Sequence, residues 1–574
     1  MVPSRSIRGV TLVDAIVGSA LVLVIFLALV GLMRASLLVA SLAKVKAGAT
    51  AVANTQLEYI RSLPYDSVGT VGGIPAGEIA QYSTTTQNSV AYGLKTFIEY
   101  VDDPADGTDA ADTNTITTDY KQVKVTVSYL VKGQLRQVSM VSNYAPPSIE
   151  TATNGGTLKV IVVNATGAPV AGAQVRVVNA STSPTIDVTT FSDVLGEVLL
   201  GGAATSTQYQ VYVSKTGYSS AQTYARDGTN QNPNPGYLTV VKNATTAGTF
   251  AIDALASFTM NTYFPIAATT TLDAFNDTSL LASQTNTQIN ASELTLLDNG
   301  ATGYSLSGSA DSVAISPPLL VSWVVASTTT SSPSGTQARV RVYDGSGYLL
   351  PDAEVPGNSS GFDGPSIDLT QVSTTSYPTL SLHADLSTNA TTTTPTIAYW
   401  SITALVGPTP APNVPFTFTG AKTIGTTGAG AAIYKTVISS LTSGLGTITL
   451  SPEWDSYLLS VTGYDVVDAC YAPSYALSPA SVTTASLYID TQTANSMLVA
   501  VRDTTGAYVS GASVTLSRTG YSSTVQTSSC GAAYFGSITA DNAYSVQIQK
   551  TGYTTTTYTN VTVGGQTFYS ASFP

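Results

Sequence analysis

Ala15–Met33 is a run of 19 residues without a formal charge. As a helix rising about 1.5 Å per residue it would be roughly 28 Å long, close to the hydrocarbon thickness of a bilayer. A secretory signal has a shorter apolar region, about 7–15 residues, followed by a small-residue cleavage site. Ser41-Leu42-Ala43 has the residues of such a site, but the run before it is too long. Beyond the span, Leu38, Leu42, Val45, Ala49, Val52, Gln56, Tyr59 and Leu63 recur at alternating four- and three-residue steps, with Lys44, Lys46, Glu58 and Arg61 off that seam. This periodicity predicts one helix from about residue 11 to residue 63, ended by Pro64. Its first half is expected in the membrane, and its second half packed on something.

A carboxylate, Asp14, stands at the mouth of this apolar helix, and Arg8 precedes it. A charge is costly at a bilayer centre and less so near a helix start, where the dipole offsets part of the cost. If the chain were cut after Gly9, Val10 would carry a new amine four residues before Asp14, one helical turn away. Arg8-Gly9-Val10-Thr11-Leu12-Val13-Asp14 resembles the processing site of type IV prepilins and pseudopilins, and the likeness extends over about residues 1–69, including "ANTQLEYIRSLPYDSVG". The resemblance implies that a prepilin peptidase cuts after Gly9 and methylates Val10. It also implies that Asp14 is the assembly acid, pairing with a neighbouring subunit's amine. Two residues depart from the pattern: Val10 replaces the usual Phe, and Asp14 the usual, longer Glu. Arg5 and Arg8 favour a cytoplasmic amino terminus, but Arg34, Lys44 and Lys46 follow the span, so orientation comes from the resemblance rather than from charge.

The rest of the chain is of another kind. It is rich in Thr, Ser, Gly and Tyr with short alternating apolar runs, the pattern of secreted β-structure with one face to water. Lys+Arg number 23 against 35 Asp+Glu, and a net charge of −12 argues against a general nucleic-acid partner. Residues 65–145 read as a small β head built onto the helix, with Val123, Val125, Val127 and Tyr129 alternating against polar neighbours and Gln137–Tyr144 following a Lys132-Gly133 turn. An acidic loop precedes these strands, with Asp102, Asp103, Asp106, Asp109, Asp112 and Asp119. It is a candidate calcium loop by oxygen supply, although its spacing is not that of an EF-hand. Solvated acidic turns are the commoner use of such residues.

After the Ala145-Pro146-Pro147-Ser148 linker an internal repeat begins. "GTLKVIVVNATGAPVAGAQVRVVN" (156–179) and "YQVYVSKTGYSS" (209–220) are answered by "SMLVAVRDTTGAYVSGASVTLSR" (496–518) and "YSVQIQKTGYTT" (544–555). A fainter third copy has "YLLSVTGYDV" (457–466), with "VPFTFTGAKTIG" (414–425) as its expected opening strand. These modules resemble the carboxypeptidase regulatory-like, immunoglobulin-like β-sandwich family, which implies stalk and spacer roles. Between them, residues 250–406 contain Trp323 and Trp400, and a pairing of Ser305–Gly308 with "PTIAYWSI" resembles a jelly roll. "GPTPAPNVP" (407–415) is a Pro-rich spacer.

Candidate chemistry is sparse. His383, the one histidine, sits in an alternating strand, and no Gly-x-Ser-x-Gly elbow accompanies it. Asp352 with Glu354, or Asp363 with Asp368, could form glycosidase pairs, but acidic β-loops are abundant here. No phosphate-binding Gly loop and no Cys/His metal cluster is found, so neither an enzyme nor a cofactor is expected. Cys470 and Cys530 are a candidate disulfide that would staple neighbouring modules.

The sequence thus predicts a mainly β chain with one long amino-terminal helix. In order it has a leader (1–9), an assembly helix (10–64), a pilin-like β head (65–145), and a regulatory-like sandwich (155–249). A jelly-roll-like sandwich (250–406), a further sandwich (414–494) and a second regulatory-like sandwich (495–574) follow. The function expected is that of a minor or tip pilin-like subunit. It would cross the cytoplasmic membrane once before assembly and lie at the cell surface, in a pilus, after. Its expected partners are other pilin subunits, the peptidase and an unidentified surface ligand. An unprocessed signal-anchored adhesin and a secretion pseudopilin are the alternatives.

Overall fold

The computed structural model describes residues 12–103, 118–147, 155–470 and 474–574. The chain is mainly β with one long amino-terminal helix, and it divides into two compact units. The first is residues 1–255 with 422–435, and the second is 256–421 with 436–574.

The helix spans Leu12–Arg61, 50 residues, and stops short of Pro64, whose ring disfavours helical backbone at Leu63. Its second half packs on an antiparallel meander of Tyr82–Gln87, Val90–Val101, Tyr120–Val131 and Gln134–Tyr144. The alternating Val123, Val125 and Val127 supply the sheet's inner face, and Ala49, Val52, Ala53, Leu57 and Ile60 the helix's. The expected seam therefore holds as far as Val52 and then drifts: Tyr59 is 50% exposed, and Leu57 and Ile60 are buried instead. Steps of four and three average 3.5 residues, and a straight helix at 3.6 turns away from such a line by about 20° per heptad.

Also within the first unit, Gly156–Val163 lies between Thr245–Ala251, to which it is parallel, and Glu197–Ala203. A second sheet, Ile186–Phe191, Gln174–Asn179, Ser206–Ser214 and Ala221–Gln222, closes over it. Leu158, Val160, Val175, Val177, Leu200, Tyr209 and Val211 fill the space between.

In the second unit the plan recurs twice. Ser496–Arg502 lies between the parallel Gln566–Ser572 and Ala532–Phe535. Ser257–Phe264 lies between the parallel Val482–Thr491 and Thr447–Leu450. The third copy thus opens at Ser257–Phe264, not at residues 414–425. Pro415–Gly420 is its second strand, in a sheet with Val437–Leu441, Asp455–Val461 and Ser474–Leu477. The intervening residues form a separate sandwich, around Trp323, Trp400 and Phe275, inserted where the other copies have a short turn. In that sandwich Ser307–Ser312 pairs with Leu380–Thr388, and Thr396–Val406 belongs to the opposite sheet, so the pairing expected for "PTIAYWSI" is replaced. The boundary expected at 250 shifts in the same way. Thr245–Ala251 closes the first module, while Phe258 and Met260 belong to the third module's core with Phe416, Phe418 and Leu459.

Backbone contacts match across all three copies. The N–H groups of Val170, Val509 and Ala411 donate to the carbonyls of Val162, Val501 and Thr262, and those of Val162, Val501 and Thr262 donate to Gly196, Gly531 and Gly446. These three glycines have φ of 74°, 68° and 70°, a left-handed turn that a side chain would strain. The repeated Lys-Thr-Gly-Tyr corners close on the repeated Gly-Ala turns. Lys215 Nζ donates to Ala171 O at 3.0 Å, and Lys550 Nζ to Ser510 O at 2.6 Å.

Candidate functional site

From Leu12, 79% exposed, to Val39, 64% exposed, the helix presents large apolar side chains that no other described residue covers. By length and composition it can cross a membrane. Asp14 lies two residues into the helix, while Gly9 and Val10 lie outside the described residues. The change from exposed to covered comes where the sheet begins. There Tyr92 Oη donates to Val45 O at 3.1 Å, and further along Tyr144 Oη donates to Leu57 O at 2.8 Å. Gly48 lets the Tyr92 ring approach, since a Cβ there would lie 3.2 Å from the ring's Cζ.

The sheet also holds the chain leaving the helix. Lys121 is 2% exposed, and its ammonium donates to Tyr65 O and Val68 O, both at 2.7 Å, beneath the rings of Tyr65 and Tyr100. Burial pulls its pKa down to about 8, partly opposed by Asp66. The sequence carried a signal for this residue. Lys121 has the same parity as Val123, Val125 and Val127, so the alternation that marks them as inward marks it too.

The acidic loop is described only at its ends. Asp106, Asp109 and Asp112 lie outside the described residues, and Asp103 N–H donates to Asp119 Oδ2 at 2.5 Å. Among the described residues no group of His, Cys, Asp or Glu is arranged to hold a metal ion.

His383 sits between two carboxylates, with Nδ1 2.5 Å from Asp311 and Nε2 3.3 Å from Asp385, which also pairs with Arg341. Asp311 and Arg341 are its cross-strand partners and Asp385 lies two residues along its own strand, all on one sheet face, and Ser283 is hydrogen-bonded to Asp311 rather than to the imidazole. The acids considered for glycoside chemistry serve their own loops. Asp352 accepts from Ser359 N–H and Oγ, Asp368 from Thr370 N–H and Oγ1, and Glu354 from Ser373 N–H, while Asp363 pairs with Arg339 at 3.1 Å. Backbone donors hold the Asp352 and Asp368 carboxyls below their usual range, opposite to the raised value a general acid needs.

Cys470 and Cys530 form a disulfide with Cα atoms 4.5 Å apart. The bond joins the third module to the last, and polar contacts flank it. Ser528 Oγ donates to Asp468 at 2.8 Å, Tyr534 Oη donates to Asp465 at 2.7 Å, and Thr493 donates to Asp465 from both N–H and Oγ1. Leu498 and Ala532 of the last module lie in the core of the third, so the two are packed as one piece.

Residues 496–573 match the carboxypeptidase regulatory-like domain. A comparison of the whole sequence with curated proteins gives no match. Among solved structures, the Bacillus anthracis TIE protein is 9% identical, covering 86% of this chain and 73% of that one at a TM-score of 0.16. BcpA, the major pilin subunit of Bacillus cereus, is 10% identical over 73% of this chain and 99% of its own at 0.13. The shaft pilin SpaA from Lactobacillus rhamnosus GG is 8% identical over 58% and 98% at 0.14. Likenesses at this level identify neither family nor function.

Proposed function

We propose that the chain is a type IV pilin-like subunit, minor or at a filament tip, that assembles through its amino-terminal helix and displays β-sandwich modules for surface attachment. A prepilin peptidase cuts after Gly9, and Val10 becomes the first mature residue. Asp14 then meets the amine of a neighbouring subunit as the helix leaves the cytoplasmic membrane. The observation that carries this reading is the division of one 50-residue helix into an uncovered apolar half and a half packed on its own four-stranded sheet. The uncovered half suits lipid first and other helices afterwards. The covered half fixes the head that the modules extend.

Four sandwiches per copy would crowd a tightly wound filament, which favours a minor or tip position over a shaft subunit. The role is structural, and the modules supply reach.

Asp14→Ala is the test. In surface filaments sheared from cells, the wild-type chain is recovered and the variant is retained in the membrane fraction. Normal recovery of the variant in filaments would overturn the assembly role of Asp14. A chain never found in filaments, wild type included, would be the signal-anchored adhesin instead.

A further inference from the structure

We infer that the three same-topology modules are shear clamps that bear tension, and that residues 156–252 form the clamp nearest the helix along the covalent chain. This goes beyond display. It rests on the helix being the fixed end of the chain, not on processing at Gly9.

In each of these modules the first strand and the last lie side by side and parallel. Thr157–Val163 pairs with Thr245–Ala251, Ser257–Tyr263 with Val482–Tyr488, and Ser496–Arg502 with Gln566–Ser572, seven residue pairs in each case. In a parallel pair, the start of one strand and the finish of the other lie at opposite ends of the ladder. Tension entering at the start of the first strand and leaving at the finish of the last therefore runs along the strands, and all the bonds between them are loaded together. An antiparallel pair pulled from one end opens instead one bond at a time.

Along the covalent chain, tension applied beyond residue 256, whether on the inserted sandwich or on either later module, returns to the helix through the backbone of 156–252. That module's clamp is internal as well as parallel. Gly156–Val163 is also bonded on its other edge to Glu197–Ala203, so the loaded strand cannot swing out of the sheet. The inserted sandwich is strung differently. It leaves the third module at Phe264 and returns at Thr409, which pairs back onto Phe264. A pull on it thus passes end to end along Ser257–Phe264, already extended, and leaves the parallel pair of that module unloaded.

The test compares two pulling directions on the full chain in detergent by single-molecule force spectroscopy. The two native cysteines are bonded to each other, so handles couple only to introduced thiols. Asn154→Cys with Ala254→Cys loads the parallel pair in shear. Asn154→Cys with Thr205→Cys peels Gly156 from Ala203, which are paired at one end of an antiparallel ladder. Unfolding in the first geometry should release about 95 residues at about 3.6 Å each, roughly 340 Å, which identifies the event as this module. The shear geometry is expected to need roughly twofold more force or greater, since seven pairs share the load that one bears in peeling. Equal forces, or a lower force in shear, would overturn the inference. Because both arms use the same purified chain, neither result depends on whether it polymerises.

Discussion

Lys121 shows how a single side chain sets the joint between helix and sheet. Its ammonium gives the carbonyls of Tyr65 and Val68 a donor at the point where the chain turns out of the helix. Replacing it by Met keeps the stem and removes that donor, at a cost to the head of about 1–3 kcal/mol. Hydrogen exchange of the amides in Tyr120–Val131 should rise accordingly, and unchanged exchange would show the two bonds to be dispensable. Glu99 gives the head a pH dependence of definite sign. Burial pushes its carboxyl up to about 7 from an ordinary 4.5, against the pull of Lys124. Between those two values the folded head binds the proton that the unfolded chain has released, so this group's contribution to stability falls as pH rises from 4.5 to 7. Lys121, lowered to about 8, acts only at higher pH and in the opposite sense. The urea midpoint of the head should therefore decline over that window, and Glu99→Gln should flatten the decline. A Glu99→Gln midpoint that declines just as the wild type's does would assign it to other groups.

At the scale of elements, the repeat was legible where both halves of a module are contiguous and faint where they are not. Val170-Ala171-Gly172-Ala173 and Val509-Ser510-Gly511-Ala512 each sit a few residues after their opening strand. In the third copy about 140 residues of another sandwich stand in that turn, so its opening strand, "SFTMNTYF", falls far from the rest and has no Gly-Ala turn to mark it. Periodicity finds strands but says nothing of which distant strand lies beside which, and for that reason the pairing of Ser305–Gly308 with "PTIAYWSI" gives way to Ser307 beside Ser387 and Gly308 beside Leu386. The disulfide is an element-scale staple. Its 60-residue separation corresponds on the chain-entropy model to about 4 kcal/mol, a gain that depends on the unfolded chain being otherwise unconstrained. Cys470→Ser with Cys530→Ser should lower the unfolding temperature of the last two modules and leave that of the head unchanged. Equal unfolding temperatures with and without the bond would show that the shared core around Leu498 and Ala532 suffices.

Over the whole molecule, one covalent path leads from an apolar helix through a small head to four sandwiches, three of them built to a single plan. The helix and its change from bare to covered were readable from an uncharged run followed by a heptad-like seam. The sheet that covers it was readable in outline from alternation in 123–129. Parity marks Lys121 as inward, but the carbonyls it serves lie 56 and 53 residues away, and those bonded by Tyr92 and Tyr144 lie 47 and 87 away, distances at which alternation specifies no partner. The account turns on what happens at the first few residues, and the mass of the amino-terminal peptide of the chain recovered from the cell surface tests that most directly. It predicts a peptide beginning at Val10 and carrying a methyl group on its amine. A peptide retaining Met1, or one beginning after Ala43, would contradict it.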